Sequence, residues 1–161
     1  MTDWSVRNLV EIRWRRLPGL GTGTRPEQDE SWEQIGIAVR VLAPGETFAM
    51  YHRENDQEDF LVLSGEGTLI VEGEERPLRE WDYFHCAPNT THSFVGGGDG
   101  PCVMVTLGLR EGSIVYPRDD VALSHGAGVE EETDTPSVAY EPFPKWEDGR
   151  PASWDELPWN R

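Results

Sequence analysis

The chain of 161 residues has no apolar run long enough to cross a bilayer, and its opening, MTDWSVRNLVEIRWRR, lacks an uninterrupted apolar stretch of signal-peptide length. A cytoplasmic protein with no membrane partner is therefore expected. Positive charge is scarce: 14 Lys and Arg stand against 30 Asp and Glu, a net charge of -16. Such a surface repels phosphate backbones and anionic headgroups, which argues against nucleic acid as a partner and leaves cations and small molecules open. Only two cysteines occur, Cys86 and Cys102, each within an apolar segment and without the spacing of a zinc pair. Both read as reduced core residues, with a disulfide between them as the lesser alternative. Internal repeats are absent, helical periodicity is nearly so, and the length suits one domain with one core.

What is present is strand. IGIAVRVL predicts a strand over Ile35 to Leu42 that stops at Pro44-Gly45, and TFAMYHR resumes extended structure. DFLVLSGEGTLIV reads as two strands, Phe60 to Leu63 and Thr68 to Val71, reversing as a hairpin at Gly65 and Gly67. WDYFHCAPNTTHSFV and CVMVTLGLR supply more strands, joined by the turn GGGDGP. This succession predicts an antiparallel sandwich or barrel over residues 33–116. One short helix is expected in PRDDVALSHG, capped by Asp119 or Asp120 and stopped by Gly126.

Residues 1–32 read as an extension packing on the barrel, in which Val10, Ile12 and Trp14 alternate with Glu11, Arg13 and Arg15 at strand period. Residues 117–161 combine the short helix with an acidic, proline-rich tail whose last sixteen positions hold three of the seven tryptophans. Disordered tails seldom carry so many aromatics, so the tail is expected to lie on the barrel or on a neighbouring subunit, its tryptophans as anchors. Arg13, Arg15 and Arg16 are its electrostatic counterpart. A homodimer would cover exposed sheet edges.

The chemistry concentrates in YHRENDQED, where His52, Glu54, Asp56, Glu58 and Asp59 crowd together. Like charges this close repel unless they line a solvated loop or converge on something positive. Strand alternation points His52 and Glu54 to one face, and a turn after Asn55 brings Glu58 toward the same point. In APNTTH, Asn89 tolerates a left-handed turn position and His92 begins the next strand.

This arrangement resembles the cupin superfamily over roughly residues 35 to 110. The family's first motif runs Gly, five residues, His, any, His, three or four residues, Glu, six residues, Gly; here Glu58, DFLVLS and Gly65 match its end, and Gly45 opens it one residue early. The second motif, Pro, any, Gly, two residues, His, is approximated by Ala87, Asn89 and His92. The three-residue spacing puts His52 and Glu54 on the two histidine positions, whereas the four-residue spacing puts Tyr51 and Arg53 there, a poor ligand set. The resemblance implies an all-β double-stranded β-helix, or jelly-roll barrel. It also implies a divalent transition metal (zinc, iron, manganese or nickel) on His52, Glu54, Glu58 and His92. Such an ion would offset the repulsion among the acids.

Singly, each residue has an ordinary role: His52 a strand histidine, Glu54 and Asp56 solvated acids, His92 a hydrogen-bond donor to a carbonyl. His85 stands as a general base near the site or as a solvent-facing strand residue. His125 belongs to the helix end. Tyr51, Tyr83 and Phe94 line a cavity or fill the core. Two functions are open: a metal-dependent cupin enzyme acting on a small molecule, of dioxygenase or isomerase type, or a non-catalytic module binding a metal or small ligand.

Overall fold

Strand period governs the chain across the described residues, 4–30, 32–109 and 112–160 of a computed structural model. Two short strands, β1 (Arg15–Arg16) and β2 (Thr22–Thr24), precede the first long one, β3 (Ile35–Leu42). There follow β4 (Arg53–Glu54), β5 (Glu58–Ser64), β6 (Glu66–Val71), β7 (Glu74–Arg79), β8 (Tyr83–Cys86), β9 (His92–Gly96) and β10 (Cys102–Leu109). The last third carries β11 (Ile114–Val115), helices α1 (Asp120–Ser124) and α2 (Pro136–Ala139), β12 (Glu147–Asp148) and two 3₁₀ turns, Trp154–Glu156 and Pro158–Asn160.

The main sheet runs β12-β1-β2-β3-β10-β5-β8, a second runs β7-β6-β9, and β11 pairs with β4. Every pairing between these strands is antiparallel. The result is the antiparallel all-β barrel that the strand spacing predicts, in the jelly-roll form that the cupin resemblance implies.

Alternation sends each strand's side chains to two different cores. Leu42 of β3 joins Phe60, Val62, Leu69, Phe94, Cys102 and Met104 between the two sheets. Its neighbours Val39 and Val41 face the other way, onto Trp14, Val103 and Leu157. That outer face is covered by the chain's own ends: Trp14, Trp154 and Trp159 meet with ring centroids 5.3 to 5.6 Å apart. Each fully buried large side chain here contributes about 1.5–3 kcal/mol. Arg15 and Arg16 of β1 pair with Asp148 and Glu147 of β12, so basic start and acidic tail meet across a ladder. Arg13 pairs with Asp29 instead.

Several local expectations are corrected. β5 and β6 do not form a hairpin; they lie in different sheets, and Gly65 carries the chain across. Its φ of +82° and the Pro101 carbonyl oxygen, 2.2 Å from where a Cβ would stand, exclude a side chain there. The hairpin is β6–β7, closed by Glu72 and Gly73 at φ 50° and 75°. Its second strand, EERPLR, has no alternation to betray it, because five of its six residues are exposed. TFAMYHR is not a continuous strand but touches the sheet through isolated bridges at Thr47 and His52. Residues 9–12 form a turn rather than a strand. The tail adds α2 and two 3₁₀ turns to the single helix expected, while Asp119 caps α1 by accepting from the Ala122 amide.

Candidate metal centre

Two backbone contacts bring the separate motifs together. His52 and His92 exchange both hydrogen bonds of an antiparallel bridge, 3.1 and 2.8 Å, which turns their side chains to one face. Asn89, at φ 67°, turns the chain ahead of β9, and its amide donates to the Glu54 carbonyl at 2.6 Å. Glu58 opens β5 opposite Gly108 of β10, where a Cβ would stand 3.3 Å from the Glu58 Cγ.

The histidine tautomers follow from their neighbours. His52 Nδ1 lies 2.6 Å from the Met50 carbonyl, and His92 Nδ1 lies 3.2 Å from the Thr90 carbonyl. A carbonyl only accepts, so each Nδ1 carries the proton and each Nε2 presents a lone pair to the interior. Cys86 Sγ, 3.3 Å from His92 Nδ1, packs against the same ring.

Glu58 Oε2 lies 3.4 Å from His92 Nε2 and 3.9 Å from His52 Nε2. Ligand atoms of His52, Glu58 and His92 all fall within 4.8 Å of one another. Glu58 Oε2 and His92 Nε2 are buried without a hydrogen-bond partner, a costly state for two polar atoms. Glu54 stands beside this group, its Oε1 3.7 Å from His52 Nε2, without belonging to the mutually close three.

Electrostatics agree with the geometry. Burial, aided by the neighbouring His52, lowers His92 to about 3, and burial lowers His52. Burial first, then Glu54 and Asp56, push Glu58 up to about 8; burial and Asp56 raise Glu54. Neutral imidazoles beside a carboxyl reluctant to ionise are not ion pairs despite their short distances. They form a donor set of two nitrogens and an oxygen that fits a divalent transition ion, whose charge would hold Glu58 ionised.

The group opens on a cavity of about 270 Å³ whose walls include Arg25, Ala38, Arg40, Thr106, Ile114 and Tyr140. Phe60, Phe84 and Phe94 surround the His92 ring at 5.1 to 5.9 Å. Sequence reasoning missed Arg25, Arg40 and Tyr140. For Arg40 a signal existed: it is the one charged residue in IGIAVRVL and shares the parity of Leu42, which faces the inner core.

The remaining candidates fall elsewhere. His85 sits on the face of β8 opposite Cys86, half exposed, its Nδ1 2.8 Å from Asp59 Oδ1, which also accepts from Tyr83 at 2.6 Å. His125, at the C-cap of α1, contacts Glu75 at 2.6 Å. Tyr51 and Phe94 are buried core, and Tyr83 is exposed. Cys86 and Cys102 are free and buried, as expected.

A double-sheet barrel with a His/Glu/His cluster inside defines a class of protein. Residues 38–108 match the family model described as Cupin domain, so this stretch of the chain is a cupin domain. Among solved structures it is similar to a proposed sugar phosphate isomerase from Acidithiobacillus ferrooxidans: 25% identity, TM-score 0.53, covering 61% of this chain and 65% of that one. The match thus spans less than two thirds of that protein. A sugar phosphate isomerase of the cupin superfamily from Silicibacter pomeroyi shares 19% identity, with TM-score 0.63 over 73% of this chain and 88% of that one. The polyketide cyclase RemF from Streptomyces resistomycificus shares 14% identity, with TM-score 0.51 over 58% and 67%. No curated protein matches the sequence. No helix among the described residues is long and apolar enough to cross a membrane.

Proposed function

We propose that this protein is a metal-dependent cupin enzyme of the isomerase type, in which His52, Glu58 and His92 hold a divalent transition ion and Glu54 moves a proton on a small-molecule substrate. One observation carries the reading: Glu58 Oε2 and His92 Nε2, both buried and partnerless, face each other across 3.4 Å. Buried and unsatisfied, two such polar atoms are destabilising; shared by a cation, they are ligands.

Held by His52, Glu58 and His92, a divalent ion would supply Lewis acidity toward a substrate oxygen. The protein's own part is to fix the two Nε2 lone pairs through the Met50 and Thr90 carbonyls and to exclude water with the Phe60, Phe84 and Phe94 rings. Glu54, raised by burial, stands beside the cluster without being one of its three closest donors, which suits it to accept and return a proton. His85, on the outer face, takes no part. The likeness to a proposed sugar phosphate isomerase supports isomerase chemistry over the dioxygenase alternative. The expected homodimer belongs to the same reading, and sedimentation equilibrium checks it.

Elemental analysis of the purified protein tests the proposal. About one equivalent of a transition metal is expected, lost in His92→Ala and Glu58→Gln and kept in Glu54→Gln. Metal content unchanged in His92→Ala would overturn the ligand set. Stoichiometric redox-active iron with substrate-dependent oxygen uptake would favour the dioxygenase alternative.

A further inference from the structure

We infer that the substrate carries an oxyanion, a carboxylate or a phosphate, and that Arg25 and Arg40 bind it on the wall of the cavity containing His52, Glu54 and Glu58. The inference rests on the reading above in placing the substrate in this cavity, and it adds the substrate's chemical class.

Arg40 occupies a barrel-facing position of β3, opposite Met104 of β10. Its Nε is buried without a hydrogen-bond partner. A guanidinium has five donors and is never neutral in practice, so an orphaned one in a half-buried setting calls for an acceptor. Six other arginines of this acidic chain, Arg7, Arg13, Arg15, Arg16, Arg76 and Arg118, each form an ion pair, whereas Arg53, Arg79 and Arg150 form none with a described carboxylate. No described carboxylate pairs with Arg25 or Arg40, although the chain has 30 acids in all.

The guanidinium is also held in place. Gly23 of β2 lies opposite Arg40 across the ladder, and a Cβ there would come within 2.7 Å of the Arg40 Cδ and Nη1. The side chain therefore crosses a gap that only glycine leaves. Phe48 and Trp146 flank it, their ring centroids 5.1 and 5.7 Å from the Arg40 Cζ. Both contacts are cation–π and hold the guanidinium on the cavity wall, from which it can donate to a carboxylate or phosphate.

Arg25 brings a second positive charge to the same wall, and both arginines continue into an adjoining cavity of about 330 Å³ beside Trp146. Burial and the charge of Arg25 both push the Arg40 pKa down, to about 10, so the two cations are held together at a cost that an anion would remove. Glu54 and Glu58 lie in the same cavity and repel an anion. Its place is therefore on the arginines, with the uncharged remainder of the molecule reaching toward the two histidines.

Calorimetric titration of the full-length protein, as isolated, with inorganic phosphate, with succinate and with glycerol tests this. Saturable binding is expected with at least one of the two anions and not with glycerol, and the anion that saturates names the class. Arg40→Met and Arg25→Gln should each weaken that binding by about tenfold or more, as loss of a charged hydrogen bond requires, with metal content by elemental analysis unchanged. Should Arg40→Met fail to fold, Arg25→Gln, at an exposed position, carries the test alone. Absence of saturation by either anion, or unweakened binding in the folded variants, would overturn the inference. A wild-type protein without metal would sink the metal proposal and leave the anion titration intact, so the two failures are distinguishable.

Discussion

The Asn89 amide donates to the Glu54 carbonyl at 2.6 Å, tying the turn before one histidine to the strand that follows the other. Asn89 holds this contact at φ 67°, where most side chains clash with their own backbone. Asn89→Gly should therefore fold and retain metal, within about 1 kcal/mol of wild type in urea melts. Asn89→Val should cost about 1–3 kcal/mol and lower metal occupancy together. Equal stability of the two variants would show that the turn does not position His92.

The metal-free protein should be most stable slightly below neutral pH. Burial and two neighbouring acids hold Glu58 at about 8 in the folded state, against about 4.3 when unfolded. Folding takes up a proton there, so this contribution is complete at low pH and is lost as pH climbs toward the folded value. His52 and His92 are lowered, His92 to about 3; their contribution is complete above the unfolded pKa of about 6.5 and is lost as pH falls below it. Glu54, also raised by burial, works in the same direction as Glu58. The two histidines oppose these carboxyls in acid, and above about pH 6.5 the raised carboxyls alone set the trend, Glu58 contributing a slope near 1.4 kcal/mol per pH unit. Thermal melts of chelator-treated protein should pass through a maximum there. Glu58→Gln, or added zinc, should reduce the alkaline decline, and its undiminished persistence in Glu58→Gln would refute the assignment.

Leu157, fully buried beneath the tail, packs with Trp14, Val39, Val41 and Val103. Leu157→Ala should cost about 2–5 kcal/mol in denaturant melts. A loss below about 0.5 kcal/mol, the scale of an ordinary surface change, would mean that the tail does not hold this face.

Gly65→Ala should be among the most damaging single changes, because the new methyl meets the Pro101 carbonyl oxygen at 2.2 Å and φ is +82°. Neither backbone segment can yield without breaking the crossing between sheets, so a loss of about 3 kcal/mol or more is expected. Near-wild-type melting would show that the crossing is pliable.

Much of the fold is legible in the chain because strand alternation is a local property. Ile35–Leu42 appears at its predicted bounds, and the Asp119 cap and Gly126 stop of α1 follow from short-range hydrogen bonding. The Gly65 crossing was misread for an instructive reason: two strands joined by glycines look alike whether the chain turns back in one sheet or passes to another. The exposed strand β7 left no apolar trace.

Within the candidate centre, the identities of His52, Glu58 and His92 could be read from motif spacing. Their convergence could not, because it depends on a backbone bridge between residues forty positions apart. Glu54 was visible as an acid of the right parity, but its place beside the three, rather than among them, is set by ångström-scale differences that no sequence pattern encodes. Arg25 and Tyr140 lie in loop and tail segments whose approach to the cavity only packing determines.

By itself, then, the sequence determined an all-β barrel, a short capped helix and a cluster of potential ligands, since periodicity, turn chemistry and residue type act over a few positions. Tertiary structure alone decided which sheet each strand joined, which atoms were stripped of water without partners, and which arginines were left without a carboxylate. Those outcomes depend on contacts between distant segments, and desolvation is a property of the assembled interior rather than of any stretch of chain.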